Sequence, residues 1–533
     1  METTHLTQGT KRRYSGEQSK RAFSQGHADI AFDGESAFLE DSVSIGVPRT
    51  SPHAMQRTRQ ANDEVAAVHK QSEHTQPTPK INQGTHSEDY FRSLYSAEPD
   101  FYRLGLKYPE FGAMLRGGTH LDFTDPAAVM QLTKTLLEED FGLEINLPSD
   151  RLCPPVPNRH NYILWLKDLL DSTSPSYSQQ YEPGRRVTGL DIGTGASLIY
   201  PLLGCVQRPG WRFIATDIDE VSLNSARTNA RMNNLESRIH IVDRTASDPL
   251  ILGLDFETID FVMVNPPFYA SNTELLELAA QKSQPPHSAC TGAPVEMVCD
   301  GGEVRFVERI ISESLILRDR VQWYTAMLGK QSSIEVLIDA LQKHRINNFA
   351  VTTFVQGSKT RRWALAWSFL TRRPSLDVTR RYGSFVTKKM LPPITTITIY
   401  MPSTQVHTDP VPSLKKAISD AMESLNLRSW VWDEQRLRGV GFADGNVWSR
   451  AYRRRRAGKG TAINQQESAI SPPDALACAF GFSVSVQSEN PDESSGSSPA
   501  VVLCWLQGND ESLFESFSGV IRRCLRTDAA RLV

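Results

Sequence analysis

Phe261-Val-Met-Val-Asn265-Pro266-Pro267-Phe268-Tyr269 is an apolar run that ends in an amide, two prolines and two aromatic rings. Proline has no N–H to give a ladder, so a pair of prolines stops a sheet. The stretch reads as a buried strand whose last residues are thrown into a crevice. Asn265 offers both a donor and an acceptor, which suits an exocyclic amine whose lone pair must be freed. The Pro266 carbonyl can accept that amine's second N–H. Pro267 fixes the turn that follows, and Phe268 can stack on a flat base, worth about 1–3 kcal/mol. The plainer reading is a strand, a diproline turn and a core phenylalanine, and the rest of the chain has to choose between them.

Upstream, Val187–Ile192 is a short strand, followed by Gly193-Thr-Gly195-Ala-Ser197 and an apolar helix through Leu198, Leu202 and Leu203. Phe213–Thr216 is a second strand and runs into Asp217; Ile239–Val242 is a third. Strands alternating with helices at this spacing predict a parallel, doubly wound sheet. Leu198 stands where a dinucleotide fingerprint needs its third glycine, and no phosphate-binding lysine follows. S-adenosylmethionine fits better. It carries no phosphate, and it needs close backbone approach at the first turn and an acid after the second strand for its ribose hydroxyls. Gly193, Ser197 and Asp217 occupy those places. Arg159 can pair with a methionine carboxylate, and Thr245 can touch an adenine. Taken singly, the glycines are a common turn and Asp217 a helix cap; on strands one, two and four they define one crevice. Methyl transfer from a sulfonium has a neutral leaving group and needs positioning more than a metal or a strong base. No Cys/His metal set and no Ser-His-Asp set stands in the sequence, and no metal is expected.

The chain has 533 residues, 39% hydrophobic, with a net charge of −3. Any basic surface must therefore be local. Seven scattered cysteines without a C-x-x-C pair fit a reducing compartment. No apolar run reaches the roughly 18 residues of a membrane span, so no membrane partner is expected. Residues 1–87 read as a disordered tail. Its Lys11-Arg12-Arg13 and Lys20-Arg21 clusters are either a split nuclear-import signal or solvated charge. Residues 88–180 read as a helical extension in which Arg92, Arg103, Lys107 and Arg116 alternate with aromatics. They are either surface charge over a helical core or a lip for nucleic-acid backbone. Residues 181–373 read as the Rossmann-like domain. It includes a long polar loop at 271–302 and a hairpin whose tip carries Lys359, Arg361 and Arg362. Residues 374–393 read as a linker, and 394–533 as a small α+β module. In that module Val447–Tyr452 is expected as a strand before the arginine run 453–456.

At this point the sequence resembles the methyltransferase-like protein sixteen family of RNA adenine-N6 methyltransferases, which modify U6 spliceosomal RNA; bacterial ribosomal RNA adenine-N6 methyltransferases are more distant kin. The resemblance rests on Lys107-Tyr-Pro-Glu-Phe111, Glu139-Asp-Phe-Gly-Leu143, Asn161-Tyr-Ile-Leu-Trp165 and Leu190-Asp-Ile-Gly-Thr-Gly-Ala-Ser197. It rests also on Asn265-Pro-Pro-Phe268, Gly301-Gly-Glu303, Trp323-Tyr324, Met327-Leu-Gly-Lys330 and Arg362-Trp-Ala-Leu-Ala-Trp367. It implies a class I S-adenosylmethionine-dependent fold. It implies cofactor contacts at Arg159, Gly193, Ser197, Asp217, Thr245 and Asn265, and a target adenine at Asn265–Phe268. RNA contact is implied from the N-terminal extension, where Arg103 and Lys107 lie, and from Lys359, Arg361 and Arg362. Asp217 departs from the glutamate of relatives, and the 271–302 loop diverges. The C-terminal module is only weakly similar to an accessory RNA-binding region, through Trp505-x-x-Gly508.

The expected function is therefore methylation of adenine N6 in a structured RNA, most naturally U6. A ribosomal RNA adenine methyltransferase is the near alternative. An Asn-Pro-Pro-aromatic site also fits a protein glutamine methyltransferase, and a non-catalytic RNA-binding splicing factor that keeps the fold is the third reading. A nuclear protein is expected, with cytoplasmic residence left open.

Overall fold

The structure, a computed structural model, describes residues 86–271, 273–274, 292–356, 360–381, 390–400, 411–457, 478–487 and 500–529. Residues 1–85 of the expected tail, with its two basic clusters, residues 272 and 275–291 of the expected 271–302 loop, and Lys359 lie outside these residues, while Ser87, expected in the tail, caps the first helix.

The described chain opens with helices α1 (Glu88–Ser93), α2 (Phe101–Lys107) and α3 (Pro109–Gly112). A small hairpin follows, β1 (Leu115–Arg116) and β2 (His120–Leu121). The longer helices α4 (Pro126–Phe141) and α5 (Val156–Ser172) come next. Asp125 caps α4 through the Ala127 N–H, with Pro126 at the first helical position, the arrangement the Asp-Pro pair predicts. Within the extension, α1 is fastened to α5 by the buried His160. Its Nε2 lies 2.8 Å from the Phe91 carbonyl, and the Gln207 amide lies 3.2 Å from Nδ1.

The central sheet follows: β3 (Val187–Ile192), β4 (Trp211–Asp217), β5 (Ile239–Asp243), β6 (Ile259–Val264) and β7 (Val321–Leu328). It continues with β8 (Phe349–Gln356), β9 (Thr360–Trp367) and β10 (Arg380–Arg381). The order is β10-β8-β9-β7-β6-β3-β4-β5. From β7 to β5 the strands are parallel, as the alternation of elements predicts; β9 runs antiparallel to both β7 and β8. The sheet is therefore mixed, because a hairpin can only add antiparallel strands. Helices α6 (Ile199–Gln207) and α7 (Glu220–Met232) are the crossovers that lead into β4 and β5. Every residue of β7 is buried, as befits a strand covered on both faces.

The stretch expected as a linker takes part in this fold. Leu376–Thr379 is a helical turn, and β10 extends the sheet edge alongside β8. Trp165 Nε1 donates to the Val378 carbonyl at 3.0 Å.

Beyond it, β11 (Thr396–Tyr400), β12 (Ser429–Asp433), β13 (Arg438–Ala443), β14 (Phe480–Gln487) and β15 (Ala500–Gln507) form an antiparallel sheet, ordered β11-β15-β14-β13-β12. Helices Val411–Glu423 and Glu511–Ala529 contribute Ile418, Phe514, Phe517 and Ile521 to its core. The expected strand at Val447–Tyr452 is corrected. Residues Arg450–Ala457 are a helix, and Trp448 is buried with its indole N–H on Ser516 Oγ at 3.0 Å. The arginine run thus continues a helical turn rather than a sheet.

Candidate active site

Strand β6 ends at Val264, and Asn265 to Phe268 leave the carboxyl edge of the sheet. The departure point is held by hydroxyls. Thr325 Oγ1 on β7 donates to the Val262 carbonyl at 2.9 Å, so the Tyr162 hydroxyl of α5, at 2.7 Å, must donate to Thr325. Asn265 Oδ1 is buried and takes no hydrogen bond from the described residues. Phe268 is half-buried rather than a core side chain. Its ring lies 5.3 Å from the Arg362 guanidinium, measured to the centroid. Its Cδ1–Cε1 edge is close to Gly329, where a built Cβ would stand 2.8 Å from Phe268 Cδ1.

Glu303 fixes that neighbour. The carboxylate is 2% exposed and accepts from Gly329 N at 2.6 Å, Lys330 N at 3.0 Å and Ser333 Oγ at 2.6 Å. These bonds pin the turn after β7 to the start of the helix Gly302–Leu317. Glu303 stands in a quoted motif, but its role could not be read from the sequence, because its partners lie 26 to 30 residues downstream.

The glycine turn after β3 has Gly193 at φ +68° and Gly195 at φ +66°. That region favours glycine, and nothing lies within 4 Å of a Cβ built on Gly193. Ser197 is buried at the end of the turn, just before α6. From α7, Asn229 Nδ2 holds the turn by donating to the Ala196 carbonyl at 2.9 Å. Asp217 stands at the end of β4 and binds the same turn. Its Oδ2 accepts from Gly195 N at 2.8 Å, and its Oδ1 accepts from Ile218 N at 2.8 Å and Asp219 N at 3.0 Å. Burial raises its pKa against these backbone bonds. Asp191 is 1% exposed. Burial pushes its pKa up to about 7, and Asp217 adds to the rise while Thr194 and Arg159 oppose it. Its Oδ2 accepts from Thr194 Oγ1 at 2.7 Å, and its Oδ1 has no partner among the described residues.

Arg159, on α5, is 5% exposed. Its Nη1 rests 3.2 Å from Met327 Sδ and its guanidinium 5.6 Å from the Tyr200 ring centroid. No carboxylate of the described residues pairs with it. A buried guanidinium without a carboxylate partner, close enough to Asp191 to oppose its pKa rise, gives the crevice a cation for a carboxylate, and the unpartnered Asp191 Oδ1 gives it an acceptor, the kind of set a zwitterionic amino-acid nucleoside requires. S-adenosylmethionine fits these residues.

Thr245 follows β5 on the exposed rim. Its N–H is on Asp248 Oδ2 at 2.7 Å and its hydroxyl is 2.9 Å from Ser247 Oγ. The expected RNA-facing cations divide. Arg103 and Lys107 are exposed and both bind Glu139, Arg103 at 3.3 Å. Arg92 and Arg116 pair with Asp168 and Asp122. The extension's positive charge is thus largely matched within the chain. Arg361 is exposed on β9. Arg362, expected at the hairpin tip, turns instead into the crevice. Burial lowers its pKa, and repulsion from Arg159 lowers it further.

Among the described residues no group of three or more His, Cys, Asp or Glu is placed to hold a metal ion. No described helix is long and apolar enough to cross a membrane.

The profile of a family described as RNA methyltransferase matches residues 81–371. Over 297 residues the chain is 43% identical to the Danio rerio RNA N(6)-adenosine-methyltransferase mettl16, covering 54% of this chain and 60% of that protein. Over 409 residues it is 34% identical to the Schizosaccharomyces pombe U6 small nuclear RNA (adenine-(43)-N(6))-methyltransferase, covering 76% of this chain and 95% of that one. Among solved structures it is similar to the human Mettl16 catalytic domain in complex with MAT2A 3'UTR hairpin 1, at 42% identity and a TM-score of 0.47, over 54% of this chain and 96% of that one. The N-terminal domain of human METTL16 in complex with SAH gives 39% identity and a TM-score of 0.43, over 54% and 98%.

Proposed function

The chain belongs to the RNA methyltransferase family, and from that membership we propose that it methylates the N6 amine of an adenine swung out of a structured RNA. The methyl donor is S-adenosylmethionine, which supplies a methyl group on a sulfonium with a neutral leaving group. U6 small nuclear RNA is the substrate named for the yeast relative, and it is the substrate proposed here, with the nucleus as the compartment.

The observation that carries this reading is the buried, unbonded Asn265 Oδ1 on a diproline turn beside a half-buried aromatic ring. The Asn265 oxygen and the Pro266 carbonyl accept the two N–H groups of the amine. Its lone pair is thereby drawn out of the ring system, and the positive charge that grows on nitrogen is stabilised. Phe268 stacks on the base and Arg362 covers the far side of Phe268. Arg159 holds the methionine carboxylate, and Gly193, Ser197 and Asp217 shape the nucleoside end, with Thr245 at the adenine rim. A base must leave its stack to reach such a site, and the exposed Arg361 at the rim, with Arg362 inside the crevice, favours a polyanion over a glutamine side chain. Exposed Arg453, Arg454 and Arg455 on the helix Arg450–Ala457 make the C-terminal module a second RNA contact. Lys359, Arg103 and Lys107 complete the RNA-facing set.

The test is methyl incorporation into a U6-type hairpin, with adenine-to-guanine RNA and a glutamine peptide as controls. Incorporation at adenine N6 that is lost in Asn265→Ala supports the reading. Incorporation into the peptide alone, or an equally active Asn265→Ala variant, refutes it.

A further inference from the structure

Glu296 lies far from the motifs that define the cofactor crevice, yet its carboxylate reaches the glycine turn. It sits in the helical turn Pro294–Met297, whose chain pairs with the catalytic turn through a bridge between Tyr269 and Val298. One oxygen is committed: Oε2 accepts from Leu152 N at 2.9 Å and Ala293 N at 2.8 Å. The other, Oε1, accepts no hydrogen bond from the described residues and stands 3.7 Å from where a Cβ on Gly195 would be. Gly195 is the residue whose N–H is bound by Asp217. The Glu296 pKa is raised, first by burial, and Asp217 contributes repulsion. Nearby, Asp191 is 1% exposed and keeps an oxygen without a partner. Carboxylates gathered at one turn repel each other, and a ligand that supplies hydrogen-bond donors there relieves the repulsion.

Resting on the methyltransferase reading above, we propose that Glu296 is a second ribose-recognition residue, with its Oε1 accepting a hydroxyl of the cofactor's ribose across Gly195 from Asp217. Both Asp217 oxygens already hold backbone N–H groups, whereas Glu296 Oε1 beside Gly195 holds none from the described residues, so a vicinal diol gains a further open acceptor there. The same side chain ties the segment after the catalytic turn to Leu152. Cofactor recognition and the seating of that segment therefore share one carboxylate.

Glu296→Gln separates the two roles. The two backbone N–H groups keep the amide oxygen at the Oε2 position, which puts an NH2 where Oε1 was. Binding of S-adenosylhomocysteine and of its 2′,3′-dideoxy analogue is measured by calorimetry on the full chain, with thermal melting of each variant. The expected result is a roughly tenfold loss of S-adenosylhomocysteine affinity, about one charge-assisted hydrogen bond. Affinity for the dideoxy analogue and the melting temperature should not change. Glu296→Ala should weaken both ligands and melt earlier. Unchanged S-adenosylhomocysteine affinity in Glu296→Gln, or equal losses for both ligands, overturns the proposal and leaves the methyltransferase reading intact. Failure of the unaltered protein to bind S-adenosylhomocysteine overturns both.

Discussion

The Arg362 guanidinium lies 5.3 Å from the Phe268 ring centroid, while its neighbour Arg361 faces solvent on the same strand. Adjacent residues on a strand point to opposite faces, so two arginines expected to do one job are given two. Arg362→Ala should lower turnover about 3- to 30-fold, the range of a partly desolvated cation–π contact, with a smaller change in RNA affinity. Arg361→Ala should weaken RNA binding and reduce the salt slope by about one phosphate contact. Single-turnover rates and RNA titrations at several salt concentrations check both. Equal effects of the two changes on RNA affinity would place both side chains on the RNA.

Gly329→Ala tests how the ring is seated. A methyl there meets Phe268 Cδ1 at 2.8 Å and Glu303 Oε2 at 3.3 Å. The ring must move, and displacements of about 1 Å can cost roughly 100-fold in rate. Turnover should fall by at least tenfold while S-adenosylhomocysteine affinity, read by calorimetry, stays within about twofold.

Asp191 makes stability depend on pH with a definite sign. Its folded pKa, about 7, is above the ordinary carboxylate value, so the folded state holds the proton more tightly than the unfolded one. Its penalty is absent below the ordinary carboxylate pKa. It grows as pH rises, and it is complete above about pH 7. Asp191→Asn can still accept from Thr194 and should flatten the fall in melting temperature between about pH 4 and 7. A parallel pair of melting curves would show that the carboxylate is not the source.

Arg373 locks the C-terminal module to the sheet. It is 1% exposed. It donates through Nε to the Gly508 carbonyl at 2.7 Å and through Nη1 to the Asn347 carbonyl at 3.0 Å, and its guanidinium lies 4.4 Å from the Trp505 ring centroid. Arg373→Ala strands these acceptors, at about 1–3 kcal/mol each. Limited proteolysis should then release the module, and the melting transition should split or fall. An unchanged digestion pattern would show that the Tyr177 contact with Phe442, at 4.9 Å between centroids, suffices.

What was legible in the sequence is what local pattern controls. The alternating strands, the glycine turn and the diproline stop are local, and they appear where the spacing put them. The hairpin β12–β13 is not anticipated by that reading, because Gly439 and Gly441 weaken the strand signal. Those glycines are needed, since a Cβ on Gly439 would meet the Trp430 ring at 2.1 Å and one on Gly441 the Phe482 ring at 2.5 Å. The expected linker joins the sheet because β10 finds a partner in β8, a tertiary choice that composition cannot report. Glu296, Glu303 and Asn229 act on backbone groups 26 to 144 residues away, and no motif spacing records such contacts.

The Glu303 carboxylate gathers a helix start, a strand end and a serine into one knot next to Phe268. On the proposed reading Phe268 is the stacking ring, and a ring seated by the fold itself lowers the ordering cost of ligand arrival. On that reading discrimination shifts to the nucleic acid, and the proposed reaction favours the RNA that surrenders one adenine from its own helix most cheaply.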